Sequence, residues 1–136
     1  MTAYEYLHQL SGIDRRLRYD QMELEELRAR AESVSSPNTG EAVSHTRSTD
    51  APFVKVLELV WQKEERVKRE MAELEQKREE IKRTIEQLSD ADERLVLLCR
   101  YLRGMKWEAI ACELLMSLST VKRRHKSALS KITVKE

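Results

Sequence analysis

The C-terminal third of the chain concentrates basic side chains, and their chemistry favours binding of a polyanion. Residues 94–136 hold ten Lys and Arg against three Asp and Glu, whereas residues 1–93 hold fifteen against twenty-one. The net charge of the whole chain is only +1, so the uneven distribution of charge along the chain says more about binding than the total does. Ammonium and guanidinium groups neutralise phosphates, and the guanidinium fork also matches the O6 and N7 acceptors of guanine. A basic C-terminal module therefore follows an acidic body.

The basic residues lie on a pattern of two short helices joined by a tight turn. The first helix has an apolar face that consists of Trp107, Ile110, Ala111 and Leu114. The pattern breaks at Leu115, and either Ser117 or Ser119 is placed to cap the next helix. The inward face of that second helix consists of Val121, Ala128 and Ile132. This is the helix-turn-helix pattern, in which the N-terminal part of the second helix enters the major groove.

The same stretch resembles the fourth region of sigma-70-type factors, a helix-turn-helix that reads promoter DNA. It resembles more closely the small phage and prophage regulators of the ArpU/RinA type, which join this module to a helical N-terminal region. The matching residues are Arg100-Tyr101-Leu102, Gly104, Trp107-Glu108-x-Ile110-Ala111, Ser117-x-Ser119-Thr120-Val121 and the basic run that ends at Ala128-Leu129. Many relatives carry Gly or another turn-tolerant residue at the position of Leu115. Because a left-handed Leu costs ~1–2 kcal/mol, we expect a turn of different shape.

The outward positions of the second helix and of the preceding turn are the candidate DNA contacts. The resemblance implies that Ser119, Lys122 and Arg123 occupy positions used for base contacts. The full set of base-contact candidates is Ser119, Thr120, Lys122 and Arg123. The phosphate-contact candidates are Arg103, Lys106, Lys126 and Lys131. The alternative is a solvated basic face without a partner, and the sequence leaves open whether Arg124 or His125 packs inward.

Two long helices with heptad patterns precede this module and must position it. Apolar residues three and four apart predict a narrow seam between helices. The predicted seam residues are Leu10, Ile13, Leu17, Leu24, Leu27, Val60, Val67, Met71, Leu74 and Ile81. Asp20 interrupts the second apolar row of the first helix, between Ile13 and Leu27, where it either sets the register or marks a solvent-facing stretch. A thin core of this kind predicts self-association, most simply as a homodimer, with Trp61 and Trp107 as core or interface anchors.

The predicted fold class is all-α, with a long helical hairpin or coiled coil followed by a C-terminal three-helix helix-turn-helix module. Charged residues make up 36% of the chain and aromatic residues 5%, which favours long helices. Residues 1–88 form the predicted oligomerisation region, in which residues 33–52 are a flexible linker. The second long helix is expected to begin near Pro52 with Asp50 as its cap. Residues 89–136 form the predicted DNA-binding domain.

The first helix of that domain has recognisable ends, and these also account for its acidic residues. Asp90 is expected to cap it, with Asp92 and Glu93 in its first turn, where the helix dipole favours carboxylates. Gly104 is expected to end it in the left-handed conformation. The acid cluster therefore needs no catalytic or metal-binding role.

Residue patterns for other classes of function are missing. Cys99 and Cys112 are expected to be reduced, buried thiols, and with three scattered His residues they predict neither a metal site nor a cofactor. No apolar run approaches the ~18 residues that a membrane span needs, and no signal segment is predicted. No phosphate loop or nucleophile–base set indicates an enzyme. We expect a protein of the bacterial host cytoplasm that associates with the nucleoid.

The sequence favours a sequence-specific DNA-binding transcriptional regulator of phage or prophage origin. Its expected partners are double-stranded DNA, a second copy of the chain and RNA polymerase. One alternative is a small terminase-like subunit for DNA packaging, since such subunits also combine helix-turn-helix modules with oligomerising helices and tend to form rings. The other is a helical interaction or inhibitor protein that does not bind DNA.

Overall fold

The computed structural model describes residues 1–35 and 46–134, and side chains outside residues 34–51. All regular structure in these ranges is helical, without strands, so the all-α prediction is confirmed. The helices are α1 (Ala3–Ser35), α2 (Thr46–Glu86), α3 (Ala91–Leu97), which continues into a π-helical turn at Leu98–Leu102, α4 (Trp107–Leu114) and α5 (Leu118–Lys131). None of the described helices has the length and apolar character that crossing a bilayer requires.

The second long helix begins earlier than predicted. It starts at Thr46, so Pro52 lies in its second turn rather than at its first position. The missing N–H of proline removes one helical hydrogen bond there, which the expected start near Pro52 would have avoided. Asp50 therefore lies inside α2 rather than at its N-cap, and residues 33–35 and 46–52 of the predicted linker are helical, so the linker prediction is wrong there. Residues 36–45 of the predicted linker lie outside the described residues.

The chain divides into two compact units that cut across the boundary predicted between residues 88 and 89. Unit 1 combines Met1–Asp14 with Glu73–Glu136, and unit 2 is Arg15–Ala72. The first turns of α1 and the last turns of α2 belong with the C-terminal helices because they supply part of one core. That core consists of Tyr6, Leu7, Leu10, Ile81, Ile85, Leu88, Leu97 and Ala128. Three short helices alone bury too little apolar surface for independent stability.

A second cluster in unit 1 joins α3, α4 and α5. It contains Val96, Cys99, Ile110 and Val121, with Trp107 packed against it. The predicted ends of α3 are confirmed. Asp90 Oδ1 accepts hydrogen bonds from the backbone N–H groups of Asp92 and Glu93 at 2.9 and 3.1 Å, and Gly104 has φ +63°. Burial of Ile110, Val121 and Ala128 matches the predicted inward faces.

Unit 2 packs α1 against α2 along a seam that mixes leucines with charged residues. Asp20 is buried rather than solvent-facing, and it forms ion pairs with Lys63 at 3.1 Å and Arg66 at 3.2 Å. Glu70 is also buried, 3.1 Å from Arg66. Arg16 lies 3.8 Å from Glu70, so positions rise along α1 as they fall along α2 and the two helices are antiparallel here.

The seam residues predicted for the oligomer are used largely within the chain itself. Six of them are buried, namely Leu10, Ile13, Leu17, Leu24, Val67 and Ile81. Three are half-buried, namely Leu27, Val60 and Leu74. Met71 is 51% exposed, and Glu70 faces inward in its place. The inward position between Val67 and Leu74 is thus residue 70 rather than 71, and its carboxylate lies near Arg66 and Arg16.

Candidate nucleic-acid interface

The connection between α4 and α5 is a tight turn built on a left-handed leucine. Leu115 has φ 56° and ψ 44°. The N–H of Met116 donates to the carbonyl of Ala111 at 2.9 Å, and the N–H of Leu115 faces the carbonyl of Cys112 at 3.4 Å. These two bonds form the Schellman pattern that glycine usually completes. The expected difference in turn shape is therefore wrong: the turn has its usual left-handed shape, and the strain falls on Leu115, whose side chain is 92% exposed and gains no burial in return.

Ser117 rather than Ser119 caps α5. Its Oγ accepts a hydrogen bond from the backbone N–H of Thr120 at 3.2 Å and lies 2.7 Å from the Thr120 hydroxyl. This contact holds Thr120 half-buried in the cap. Ser119 stays exposed. Of the two hydroxyl-bearing base-contact candidates, Ser119 is therefore the more accessible.

The remaining candidates on α5 form one exposed basic face. Ser119, Lys122, Arg123 and Lys126 are exposed, and their spacing of three, four and seven residues places them on one side of the helix. Within the described part of the chain, Lys122, Arg123 and Lys126 form no ion pair. Their positive charge is therefore not neutralised by any side chain that the structure describes.

The opposite side of α5 is tied to the N-terminus of α3. Arg124 Nη1 lies 3.3 Å from Asp90 Oδ2. Lys131 Nζ contacts both oxygens of Glu93 at 3.0 and 3.1 Å, and the Ser127 hydroxyl donates to Glu93 at 2.7 Å. The structure thus places Lys131, a predicted phosphate contact, in a bridge that fixes α5 on α3.

The pKa values of these carboxyl groups reflect the same contacts. The Ser127 hydrogen bond and the Lys131 ammonium lower the pKa of Glu93 below its ordinary value. The backbone N–H groups of Glu93 and Asp92 lower the pKa of Asp90, with a smaller contribution from Arg124. Asp90 and Glu93 are therefore held as carboxylates, and their contacts with Arg124 and Lys131 hold α3 and α5 together.

The sequence leaves open whether Arg124 or His125 packs inward, and in the structure each of them contacts other side chains. Arg124 pairs with the Asp90 cap, and His125 packs among aromatic rings. Its Nε2 lies 2.7 Å from the Tyr101 hydroxyl, and its ring meets Trp107 edge-on at 4.7 Å. Burial, assisted by the nearby Arg100, lowers the pKa of His125. Burial raises the pKa of Tyr101 to about 12.

The segment before α4 presents the other phosphate-contact candidates. Arg103 and Lys106 are both exposed, and Lys106 is the residue that precedes the first turn of α4. Arg100 does not project with them, because its guanidinium lies 4.3 Å over the Trp107 ring and donates to the carbonyl of Met105 at 2.9 Å. The structure therefore separates two accessible cations from one that supports the fold.

Arg78 is a further basic residue of this region, which the sequence pattern did not assign to it. Arg78 lies on α2, is exposed, and donates from Nη1 to the carbonyl of Leu102 at 2.7 Å, next to Arg103. The available signal was the break that Arg78 makes in the apolar heptad row of α2. It adds a cation from α2 beside the segment that carries Arg103.

The described residues offer no other chemistry at this site. No group of three or more His, Cys, Asp or Glu residues in residues 1–35 and 46–134 is arranged to hold a metal ion. Cys99 is buried, and burial raises the pKa of its thiol. Cys112 is exposed, contrary to the prediction, because it lies two residues beyond Ile110 and hence about 200° around the helix from that buried residue.

Comparisons with known proteins identify the family to which the chain belongs. No curated protein and no solved structure matches the chain. The family model of DUF722, described as a protein of unknown function, matches residues 13–134. The match includes unit 2, the C-terminal helices and every candidate contact of the basic face. The chain belongs to the DUF722 family.

Proposed function

We propose that the chain is a sequence-specific transcriptional regulator that binds double-stranded DNA. In this proposal α4, the Leu115 turn and α5 form a helix-turn-helix, and the N-terminal half of α5 enters the major groove. The observation that carries the proposal is the exposed face of Ser119, Lys122, Arg123 and Lys126, whose cations have no ion pair in the described part of the chain. The positive charge of this face is available to a polyanion.

The two sides of α5 have complementary roles in this proposal. Lys131, Ser127 and Arg124 fix one side on α3, so the helix presents its other side without losing its position. A rigid element is what base recognition requires, because a bidentate contact tolerates little displacement. The interior of unit 1 thus supplies the preorganisation that the exposed face needs.

The candidate contacts divide into base and phosphate contacts by position. Arg123, with Ser119 and Lys122, lies near the start of α5, where a recognition helix meets base edges. Lys126 lies one turn further along, and Arg103 and Lys106 lie before α4, where they are suited to the DNA backbone. Arg123 is the strongest candidate for specificity because its fork fits guanine O6 and N7.

The wider proposal follows the resemblance to phage and prophage regulators. The protein acts in the cytoplasm of a bacterial host cell, associated with its nucleoid. It pairs with a second copy and engages RNA polymerase at promoters. A homodimer suits a helix-turn-helix because it presents two recognition helices to two half-sites.

A DNA-packaging subunit of the small terminase type is the second candidate. The exposed apolar residues of α2, including Trp61 at 71% exposure, favour assembly with other chains. Such a surface is compatible with a ring of many copies as well as with a dimer. The mass of the assembly separates the two, since a dimer supports the regulator and a large ring supports the packaging subunit.

The proposal is tested by selecting preferred duplexes from a random pool and measuring affinity by fluorescence anisotropy across a salt series. Arg123→Ala is expected to weaken binding to the selected duplex by ~1–3 kcal/mol and to relax its sequence preference. Arg69→Ala is the matched control, because Arg69 is exposed on unit 2 and forms no ion pair in the described residues. Lys126→Ala should weaken binding to all sequences alike.

The salt series separates specific binding from a solvated basic face. If four phosphates are neutralised, log affinity falls against log salt with a slope of roughly −3.6. Absence of DNA binding by the wild type at low salt contradicts the proposal and favours a helical interaction or inhibitor protein. An equal loss in Arg123→Ala and Arg69→Ala contradicts the assignment of α5 as the recognition helix.

A further inference from the structure

Residues 53–61 of α2 are apolar around most of the helix. Seven of these nine residues are apolar, namely Phe53, Val54, Val56, Leu57, Leu59, Val60 and Trp61, and only Lys55 and Glu58 are charged. A surface helix normally has one apolar stripe, so a segment with apolar residues outside that stripe has apolar surface left for a partner. In unit 2 only Val56 of this segment is buried. We call residues 53–61 the α2 apolar segment.

The exposed part of this segment is large and continues as a row. Trp61 is 71% exposed and Leu57 44%. Val54, Leu57 and Trp61 are spaced three and four residues apart and are all exposed, and beyond Trp61 the row continues with the charged Glu64 and Lys68. That spacing is typical of a helix face that receives another helix.

The area of this row reaches the size at which a surface has a partner. A single aromatic side chain contributes roughly 150–250 Å², and the largest apolar patch of a typical monomer is about 300–600 Å². Trp61, Val54 and Leu57 together expose surface near the lower end of that range. With polar residues at its rim, the row approaches the roughly 800 Å² that each partner buries in a standard interface.

The charge of the surroundings favours a second copy of the same chain as the occupant. Residues 53–72 contain five Lys and Arg and four Asp and Glu, so the surface is nearly neutral and carries both signs. Two copies therefore do not repel each other, whereas a strongly charged partner gains little there. The preceding residues 36–45, SPNTGEAVSH, are mostly polar in sequence and offer little apolar area to cover the segment.

We propose that two copies of the chain pair through the α2 apolar segment, with Trp61 at the centre of a two-fold interface. The predicted heptad seam is unavailable for this, because most of its residues are buried within the chain. A two-fold interface uses the same patch on both copies, which a row of this kind on one helix supplies. The inference rests on the homodimer of the proposed function, and its test uses no DNA, so its failure is distinct from a failure of DNA binding.

Sedimentation equilibrium of the full chain over a wide concentration range tests the pairing. Wild type is expected to be a dimer, and Trp61→Glu is expected to raise the dimer Kd at least about tenfold, because it places a charge at the centre of the interface. Met22→Glu is the matched control, since Met22 is 61% exposed on α1 of the same unit. It should leave the dimer intact.

A second measurement avoids the introduced charge. In Trp107→Phe the only remaining tryptophan is Trp61, and its emission should shift to the blue as rising concentration buries the indole in the dimer. Circular dichroism checks that each variant keeps its helix content. A wild type that stays monomeric, a ring of many copies, a Trp61→Glu variant that dimerises like the wild type, or an emission maximum independent of concentration each overturns the inference.

Discussion

The two units of the molecule place their polar and apolar side chains in opposite ways. Unit 1 has an apolar interior in which Leu7, Ile81 and Ile110 are fully buried, and its buried carboxylate Glu93 is satisfied by Ser127 and Lys131. Unit 2 buries two carboxylates along its seam and leaves a tryptophan in solvent. Unit 1 therefore has the interior of a self-sufficient domain, whereas unit 2 gains specificity from polar pairing and lacks cover for its apolar surface.

The buried carboxylates of unit 2 behave as a coupled pair. The hydrogen bond with Glu70, followed by Lys63 and Arg66, lowers the pKa of Asp20. Burial, with the same hydrogen bond, raises the pKa of Glu70. Asp20 is thus the charged member and Glu70 the one that keeps its proton longer. Stability from the Glu70 proton is fully present below its ordinary pKa of 4.5 and is lost as pH rises through the raised value.

Among the substitutions that test this difference between the units, removal of Asp20 is expected to change stability most. Asp20→Ala is expected to lower the free energy of unfolding by about 3 kcal/mol, because it leaves Lys63 partly buried without its closest anion. Urea unfolding measures the loss. Glu25→Ala, at an exposed position of the same helix, should change stability by less than about 0.5 kcal/mol. Equal costs for the two variants would show that the buried pair does not hold unit 2 together.

A smaller and opposite effect is expected in unit 1, at the turn before α5. Leu115→Gly should raise the free energy of unfolding by about 0.5–1 kcal/mol, because glycine removes the left-handed strain at the cost of a more flexible unfolded chain. Thermal and urea unfolding measure the gain.

The control for Leu115→Gly has the opposite sign. Cys112→Gly, at an exposed position inside α4, should destabilise by about 1 kcal/mol, since glycine there only weakens the helix. A loss of stability in Leu115→Gly would mean that the exposed leucine makes a contact that outweighs its strain.

Local patterns in the sequence were sufficient to predict the structural features that neighbouring residues determine. The all-helical class, the Asp90 cap of α3, the left-handed Gly104 and the inward positions of Ile110 and Val121 all follow from spacing and capping chemistry. Each of these features depends on residues within about one or two helical turns, so the local sequence is enough to predict it.

Contacts between distant residues were not predictable in the same way. Lys131 was assigned to phosphate because nothing local shows that Glu93, 38 residues earlier, lies beside it. Arg124 and His125 straddle the edge of the apolar face, and only the position of the α3 N-terminus decides which charge is paired. Glu70 rather than Met71 faces inward in the seam, where it lies near Arg66 and Arg16, and the apolar spacing of α2 alone does not show those contacts.

The smallest expected effect is a pH dependence of unit 1 that runs opposite to that of Glu70. Because the folded pKa of His125 is lowered, the unfolded chain binds its proton more readily. The stability of unit 1 is then fully present above the ordinary value of 6.5 and is lost as pH falls toward the lowered one. Stability is lost because protonation places a positive charge on an imidazole that is packed between Tyr101 and Trp107.

Single-tryptophan variants separate this effect from the carboxylates of unit 2. In Trp61→Phe the emission of Trp107 reports unit 1, and its urea midpoint should fall between about pH 7.5 and 5.5. Adding His125→Phe keeps an aromatic ring against Tyr101 and Trp107 but removes the titration, so the midpoint should become flatter over this range. Adding Glu70→Gln instead should leave the His125 dependence unchanged, since Glu70 belongs to unit 2. A slope that persists without His125 would assign the dependence to another group, and the contrast between the two units would then rest on their carboxylates alone.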